Sequence, residues 1–451
     1  MTAIAARAVL ALLLALPLLA PAAPAPLAAP AGSLVRGPIS FVYAVYTVGP
    51  FDPAVAAKVK ALGVAQGVRM LNDLPKDSAD VVAVATVLKD AAREYAPPDE
   101  TLLRYFGHGL SREQAAAIQK AKGAFVLEVQ FPAGRMSQGL KAASVLIECA
   151  AIDGKGFIWD EETRELFTPK AWRERRIDTW AGDIPDATSQ TVIHAYNGDA
   201  QVRAITLGMR KFGLPDVVID DFSWSSVKPM GNLLNGVIQA LAEGAQPGKA
   251  GELAVDVRKL LHPEVKKTLL AELVKGATGV AKVRLVRAEP EEGDPRNRLL
   301  AIDFDAYPGP DRYAKQDAML AALFGKGDDK VARITHTDRL KAASRLARTH
   351  LPELRTAFNR GLAPGEYIQL KAPFKTPEGG NEWMWVEVTS WQGRAIKGLL
   401  KNEPYEVPTL HAGQMVNVNE DEVFDYLRTE ANGKQTGNET SKIIAEMNSA
   451  R

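Results

Sequence analysis

Residues 41–47 (FVYAVYT) run apolar and β-branched between Pro38 and Gly49-Pro50, a pattern that predicts a strand. Helical spacing follows at 53–62, then a second β-branched run at 81–87. Residues 111–122 open with Ser111 as a helix N-cap, and 124–131 (AFVLEVQF) read as a strand. A helix around Cys149 leads to a hairpin, GFIWD-EETRE-LFT, and then to a helix at 169–177 opened by Pro169.

The next stretch predicts a strand at 192–196, a helix at 202–212 and a short buried strand at 217–220. Helices follow at 233–241 and 262–273. Strands at 281–286 and 299–304 flank the charged loop EPEEGDPRNR and should pair antiparallel. Strands and helices thus alternate irregularly with hairpins, which predicts α+β with mixed or antiparallel sheets rather than a doubly wound parallel sheet. A Gly/Asp/Lys-rich stretch at 324–332 reads as a linker. Beyond it come helices at 338–348 and 352–359, then a β-rich module: YIQLKAPF, NEWMWVEVTSW, AIKGLLKN and GQMVNV. The expected organisation is a leader at 1–31, an α+β region at 32–325 with a split near 245–260, and a C-terminal domain at 333–451.

The leader changes the compartment. Arg7 precedes an apolar stretch, 8–20, and Ala29-Pro30-Ala31 fits the small-residue cleavage rule, as does a cut after Ala22. The apolar stretch is short for a membrane span, and Pro17 and Pro21 interrupt it, so cleavage should leave no stable membrane anchor. The expected location is periplasmic or secreted.

Charge and cysteine content narrow the chemistry. The 451 residues hold 55 Lys+Arg against 54 Asp+Glu, and removing Arg7 with the leader balances them. A neutral chain has no electrostatic case for nucleic acid. The lone Cys149 can form no internal disulfide, and its apolar neighbours suggest a packed thiol. The histidines are scattered, no phosphate-loop or dinucleotide motif is present, and no cofactor is expected.

Two features could carry recognition or chemistry. On a strand, Trp383, Trp385, Glu387, Thr389 and Trp391 would share one face, an aromatic platform for sugars, peptides or a protein partner. The alternative is that this face packs against the helices at 338–359. Asp303 and Asp305, two apart, are weak metal candidates, and Asp220 and Asp221 sit at a strand's carboxyl end, where sites cluster in α/β folds.

Residues 335–448 carry a resemblance in order and spacing: RLKAASRLARTHLPELRTAF, YIQLKAPF, EWMWVEV, AIKGLLKNEPYEV, LHAGQMVNV and a closing EDEVFDYLRTEANGKQTGNETSK. Its positions include Lys371, Trp385, Gly398, Asn402, Asp425, Gly437 and Thr440, with Tyr426 where a Trp is expected. The segment resembles DUF2314, the bacterial YegJ-like proteins. WDEETRELFTPKAW and RAITLGMRKFGLPDVVIDD, within residues 140–225, are similar to a second uncharacterised bacterial family, DUF4261. Neither resemblance implies a catalytic residue. The reading is a non-enzymatic binding or scaffold protein of the cell envelope. The alternatives are an envelope hydrolase or metal-dependent enzyme using Asp220, Asp221, Asp303 and Asp305, or an inhibitor of an exported toxin.

Overall fold

The structure, a computed structural model, describes residues 26–197, 202–222, 226–274, 277–325, 338–402, 404–431 and 434–449. Most of the expected leader and most of the expected linker lie outside these residues. The first sheet holds β1 (Ile39–Thr47), β2 (Arg69–Leu71), β3 (Val82–Leu88), β4 (Gly107–His108), β5 (Gly123–Phe131), β6 (Phe157–Asp160) and β7 (Glu165–Phe167). Their order is β2-β3-β5-β1-β6-β7-β4. Helices α1 (Pro53–Ala65) and α5 (Met136–Gly154) cover one face; between them in sequence come α2 (Ala91–Glu94), α3 (Glu100–Phe106) and α4 (Arg112–Ile118). The close seat of α5 depends on Gly139, where an added Cβ would stand 2.2 Å from the Phe131 ring. On the opposite face Leu103, Leu110 and Ile118 pack with Tyr46, Trp159 and Leu166.

Two short helices, α6 (Pro169–Trp172) and α7 (Ala187–Gln190), lead to the second sheet. It comprises β8 (Val192–Asn197), β9 (Val202–Leu207), β10 (Asp216–Phe222), β11 (Glu252–Asp256), β12 (Val280–Arg287) and β13 (Leu299–Asp303), ordered β11-β12-β13-β10-β9-β8. β10 and β13 run parallel, and the other neighbours run antiparallel. Helices α8 (Val227–Ala242), α9 (Pro263–Ala271) and α10 (Arg312–Phe324) complete this part.

The helix expected at 202–212 is instead β9 followed by a 3₁₀ turn, Met209–Phe212. Every residue of β9 is buried, and β8 and β10 supply ladder bonds on both sides. Gly208 and Gly213, at φ 111° and 70°, hold the left-handed conformation that ends regular structure on either side of the turn. The first two sheets share one hydrophobic core, and the chain passes between them after β7. The split expected near 245–260 therefore falls inside the second sheet, at β11.

The third sheet is antiparallel throughout: β14 (Tyr367–Lys375), β15 (Asn381–Gln392), β16 (Ala395–Leu400), β17 (Met415–Asn419), β18 (Asp425–Thr429) and β19 (Gln435–Gly437), ordered β17-β16-β15-β14-β18-β19. α11 (Asp338–Thr349), α12 (Leu351–Arg360) and α13 (Glu439–Ser449) accompany it. Leu351 and Leu354 of α12 enter its core with Met384, Val386 and Val388. The architecture is α+β, as the hairpin-rich pattern implied.

Candidate functional site

The tryptophan strand does not present the expected platform. Val388 pairs with Gly398 and Ser390 with Lys397, so Thr389 is an extra residue in β15. Such a bulge reverses which face the following side chains occupy. Trp391 therefore joins the core with Val388 and Ile396 at 2% exposure, and its indole nitrogen donates to Glu420 at 2.8 Å. Trp383 and Trp385 stay half-buried on the other face. Trp383 lies 4.5 Å from the Phe424 ring and packs on the cluster of Leu340 and Ile443. The expected helix contact thus covers Trp383.

Trp385 has the Lys371 ammonium 5.6 Å above its ring, a cation–π contact, and burial pushes the Lys371 pKa down. Glu387 is buried. One carboxylate oxygen accepts from Lys401 at 3.1 Å, while Oε1 finds no hydrogen-bond partner.

The positions that carry the family resemblance hold this sheet together. Asn402 accepts from the Trp385 amide at 2.6 Å, and Asp425 accepts from the Thr440 amide and hydroxyl at 2.9 and 2.6 Å. A Cβ on Gly398 would sit 2.2 Å from the Glu387 carbonyl, and one on Gly437 2.3 Å from that of Tyr426. These are requirements of folding rather than a reacting constellation.

The aspartates of the middle region do converge. Asp220, two residues before the end of β10, and Asp303, the last residue of β13, line a cleft of about 550 Å³ with Asp305 and Asp311. Each of these aspartates has its own partner. Asp220 pairs with Arg203, Asp303 with Arg284 at 2.9 Å, and Asp305 with Lys315 at 2.7 Å. Asp221, at φ 52°, meets Arg312 at 2.5 Å, and Asp311 caps α10 through the Ala314 amide at 2.9 Å. The Lys315 hydrogen bond holds the Asp305 carboxyl below its ordinary range. Among the described residues no three His, Cys, Asp or Glu side chains gather into a metal-holding group. Cys149 is half-buried beside Asp153 at 3.7 Å, and burial pushes its thiol up, away from the reactive thiolate.

A further group escaped the sequence reading. In the turn between β6 and β7, the Asp160 carboxylate accepts from the amides of Glu162 and Thr163 at 3.2 and 3.4 Å. Its other oxygen accepts from Lys211 at 2.6 Å and from Arg176 at 3.4 Å, and all three side chains are closed to solvent. Arg176 also meets Glu165 at 2.6 Å, and Glu165 meets His108 at 2.7 Å. Burial would raise Glu165, but Arg176 and His108 outweigh it and hold the carboxyl well below the usual range. Burial pushes the His108 pKa down, against the raising pull of Glu165. Two acids and two bases thus balance inside the core, behind the turn. Lys211 comes from RAITLGMRKFG and Asp160 from WDEETRELF, two segments that lie far apart in the sequence and meet here.

No curated protein and no solved structure matches the chain. Residues 338–450, whose described part runs from α11 through α13 around the third sheet, match the model of the family described as uncharacterized protein conserved in bacteria, DUF2314.

Proposed function

We propose that the protein is a non-enzymatic binding protein of the bacterial cell envelope. The observation that carries this reading is the ion pairing in the strand-end cleft. A general base or a metal ligand needs carboxylate lone pairs free for the reacting proton or ion. Asp220, Asp221, Asp303 and Asp305 are each committed to a neighbouring cation instead. The leader pattern supports the envelope, and no helix among the described residues is long and apolar enough to cross a membrane. On the third sheet, the half-exposed Trp385 beside Lys371 and Glu387 is the proposed partner face.

The test combines calorimetric titration with Mg²⁺, Ca²⁺, Mn²⁺ and Zn²⁺ and assays on ester, phosphodiester, glycoside and peptide substrates. The expected result is no stoichiometric ion and no turnover. A bound ion lost in Asp303→Asn, or turnover lost in Asp220→Asn, would contradict the reading. The enzymatic alternative has one observation in its favour: burial pushes the Glu162 carboxyl up to about 7, where an acid–base catalyst works best.

A further inference from the structure

Beside that carboxyl lies a cavity of about 560 Å³, within the range of small-molecule sites. The β6–β7 turn forms one wall with Glu162 and Arg164, and the 3₁₀ turn adds Arg210. Arg296, on the loop between β12 and β13, closes another side, so both of the first two sheets build the site.

We propose that this cavity binds a small oxyanion, a carboxylate or a phosphate. The first argument is charge. Among the described residues Arg164 and Arg296 have no carboxylate partner, and the acid at Arg210 is Glu162, 3.9 Å away. Of the other acids on the wall, Glu161 accepts from Tyr95 at 2.5 Å and Trp159 at 2.7 Å, and Glu128 stands alone. Burial keeps Glu162 largely protonated below pH 7, against the lowering pull of Arg210 and Lys211 and with Asp160 and Asp216 adding to the rise. Three guanidinium groups then face two carboxylates, and the surplus is positive. A protonated Glu162 offers an O–H donor where an ionised one would repel an anion.

The second argument is that the walls are pinned. Arg164, at φ 57°, is held in a left-handed turn whose amides Asp160 caps from behind. Its guanidinium donates to the carbonyls of Gly293 at 2.8 Å and Asp294 at 3.4 Å, clamping the opposite loop. Arg210 donates to the Arg296 carbonyl at 3.4 Å. Lys211, next in the chain to Arg210, is anchored on Asp160. The buried network is thus the frame that fixes Arg164 and Arg210, and preorganised donors lower the cost of binding.

The site goes beyond the binding reading above, which names neither this cavity nor its ligand. The test is calorimetric titration of the full chain at constant ionic strength with inorganic phosphate in one arm and succinate in the other. One of them is expected to bind one to one at pH 6, with the arms separating phosphate from carboxylate. Arg296→Ala, an exposed side chain, should weaken binding about tenfold or more while leaving the melting temperature unchanged. Between pH 6 and 8 wild-type affinity should fall relative to that of Glu162→Gln, which shares the ligand's own titration but lacks that of Glu162. Absence of saturable binding in both arms, or equal affinity in wild type and Arg296→Ala, overturns the proposal. Turnover of the bound anion would uphold the site and overturn the non-enzymatic reading.

Discussion

The amide of Ala29 donates to the carbonyl of Leu285 at 2.8 Å, which places the segment before Gly32 in the second sheet. The Arg287 amide returns a bond to Leu27 at 2.7 Å, Ala28 pairs with Val286, and Ala29 is buried. Of the two cuts the sequence allows, the one after Ala31 would remove this paired segment and the one after Ala22 would keep it. After the proposed leader cleavage the chain is expected to begin upstream of Leu27, which N-terminal sequencing reads directly. A chain beginning at Gly32 should be less stable by about 1–3 kcal/mol in urea, the worth of two backbone hydrogen bonds.

The Thr389 bulge separates the tryptophans energetically. Trp391→Ala empties a filled core site and strands Glu420 without its indole donor, so a loss of about 3–5 kcal/mol is expected. Trp385→Ala, on the half-exposed face, should cost far less. Urea midpoints of the two variants check this, and equal losses would place both residues in the core.

The buried quartet predicts strong coupling. Lys211→Met leaves Asp160 in the core with its turn amides and only the longer ion pair to Arg176, and should cost about 3–5 kcal/mol. Adding Asp160→Asn removes the stranded charge and should recover part of that loss. A double-mutant cycle in urea measures the coupling, and additive losses would contradict it.

Glu162 and Asp216 have carboxyls raised by burial to about 7 and about 6, from ordinary values of 4.5 and 3.8. Between roughly pH 4 and 7 the folded chain holds protons that the unfolded chain has released, so these groups make stability fall as pH rises. His194, pushed down to about 4 by burial, acts oppositely, because the unfolded chain binds its proton first as pH falls below about 6.5. Glu162→Gln isolates one contribution: relative to wild type it should gain up to about 3 kcal/mol from pH 5 to pH 8. Denaturation at the two pH values gives the answer, and a constant difference would count against it.

Much of the fold was legible because period-two runs such as 124–131 and capped helices such as α4 advertise themselves locally. Ser111 and Gln114 form a full capping box there. β9 was misread because a strand buried on both faces lacks the alternation that distinguishes it from a helix, and its identity comes from its neighbours. The bulge at Thr389 exists only in the pairing with β16, so nothing local announces that Trp391 turns inward. The strand-end aspartates were visible, but not the cations that neutralise them, since Arg203, Arg284 and Lys315 come from other elements. Arg164, Arg210 and Arg296 lie far apart in the sequence and become a site only when two sheets share a core.

The most direct measurement is a ¹³C NMR titration of the Glu162 side-chain carboxyl in the full chain, assigned against Glu162→Gln. The account predicts a midpoint near 7 that moves higher when the bound anion, phosphate or succinate, is added. A midpoint near the ordinary 4.5, unmoved by either anion, would contradict it.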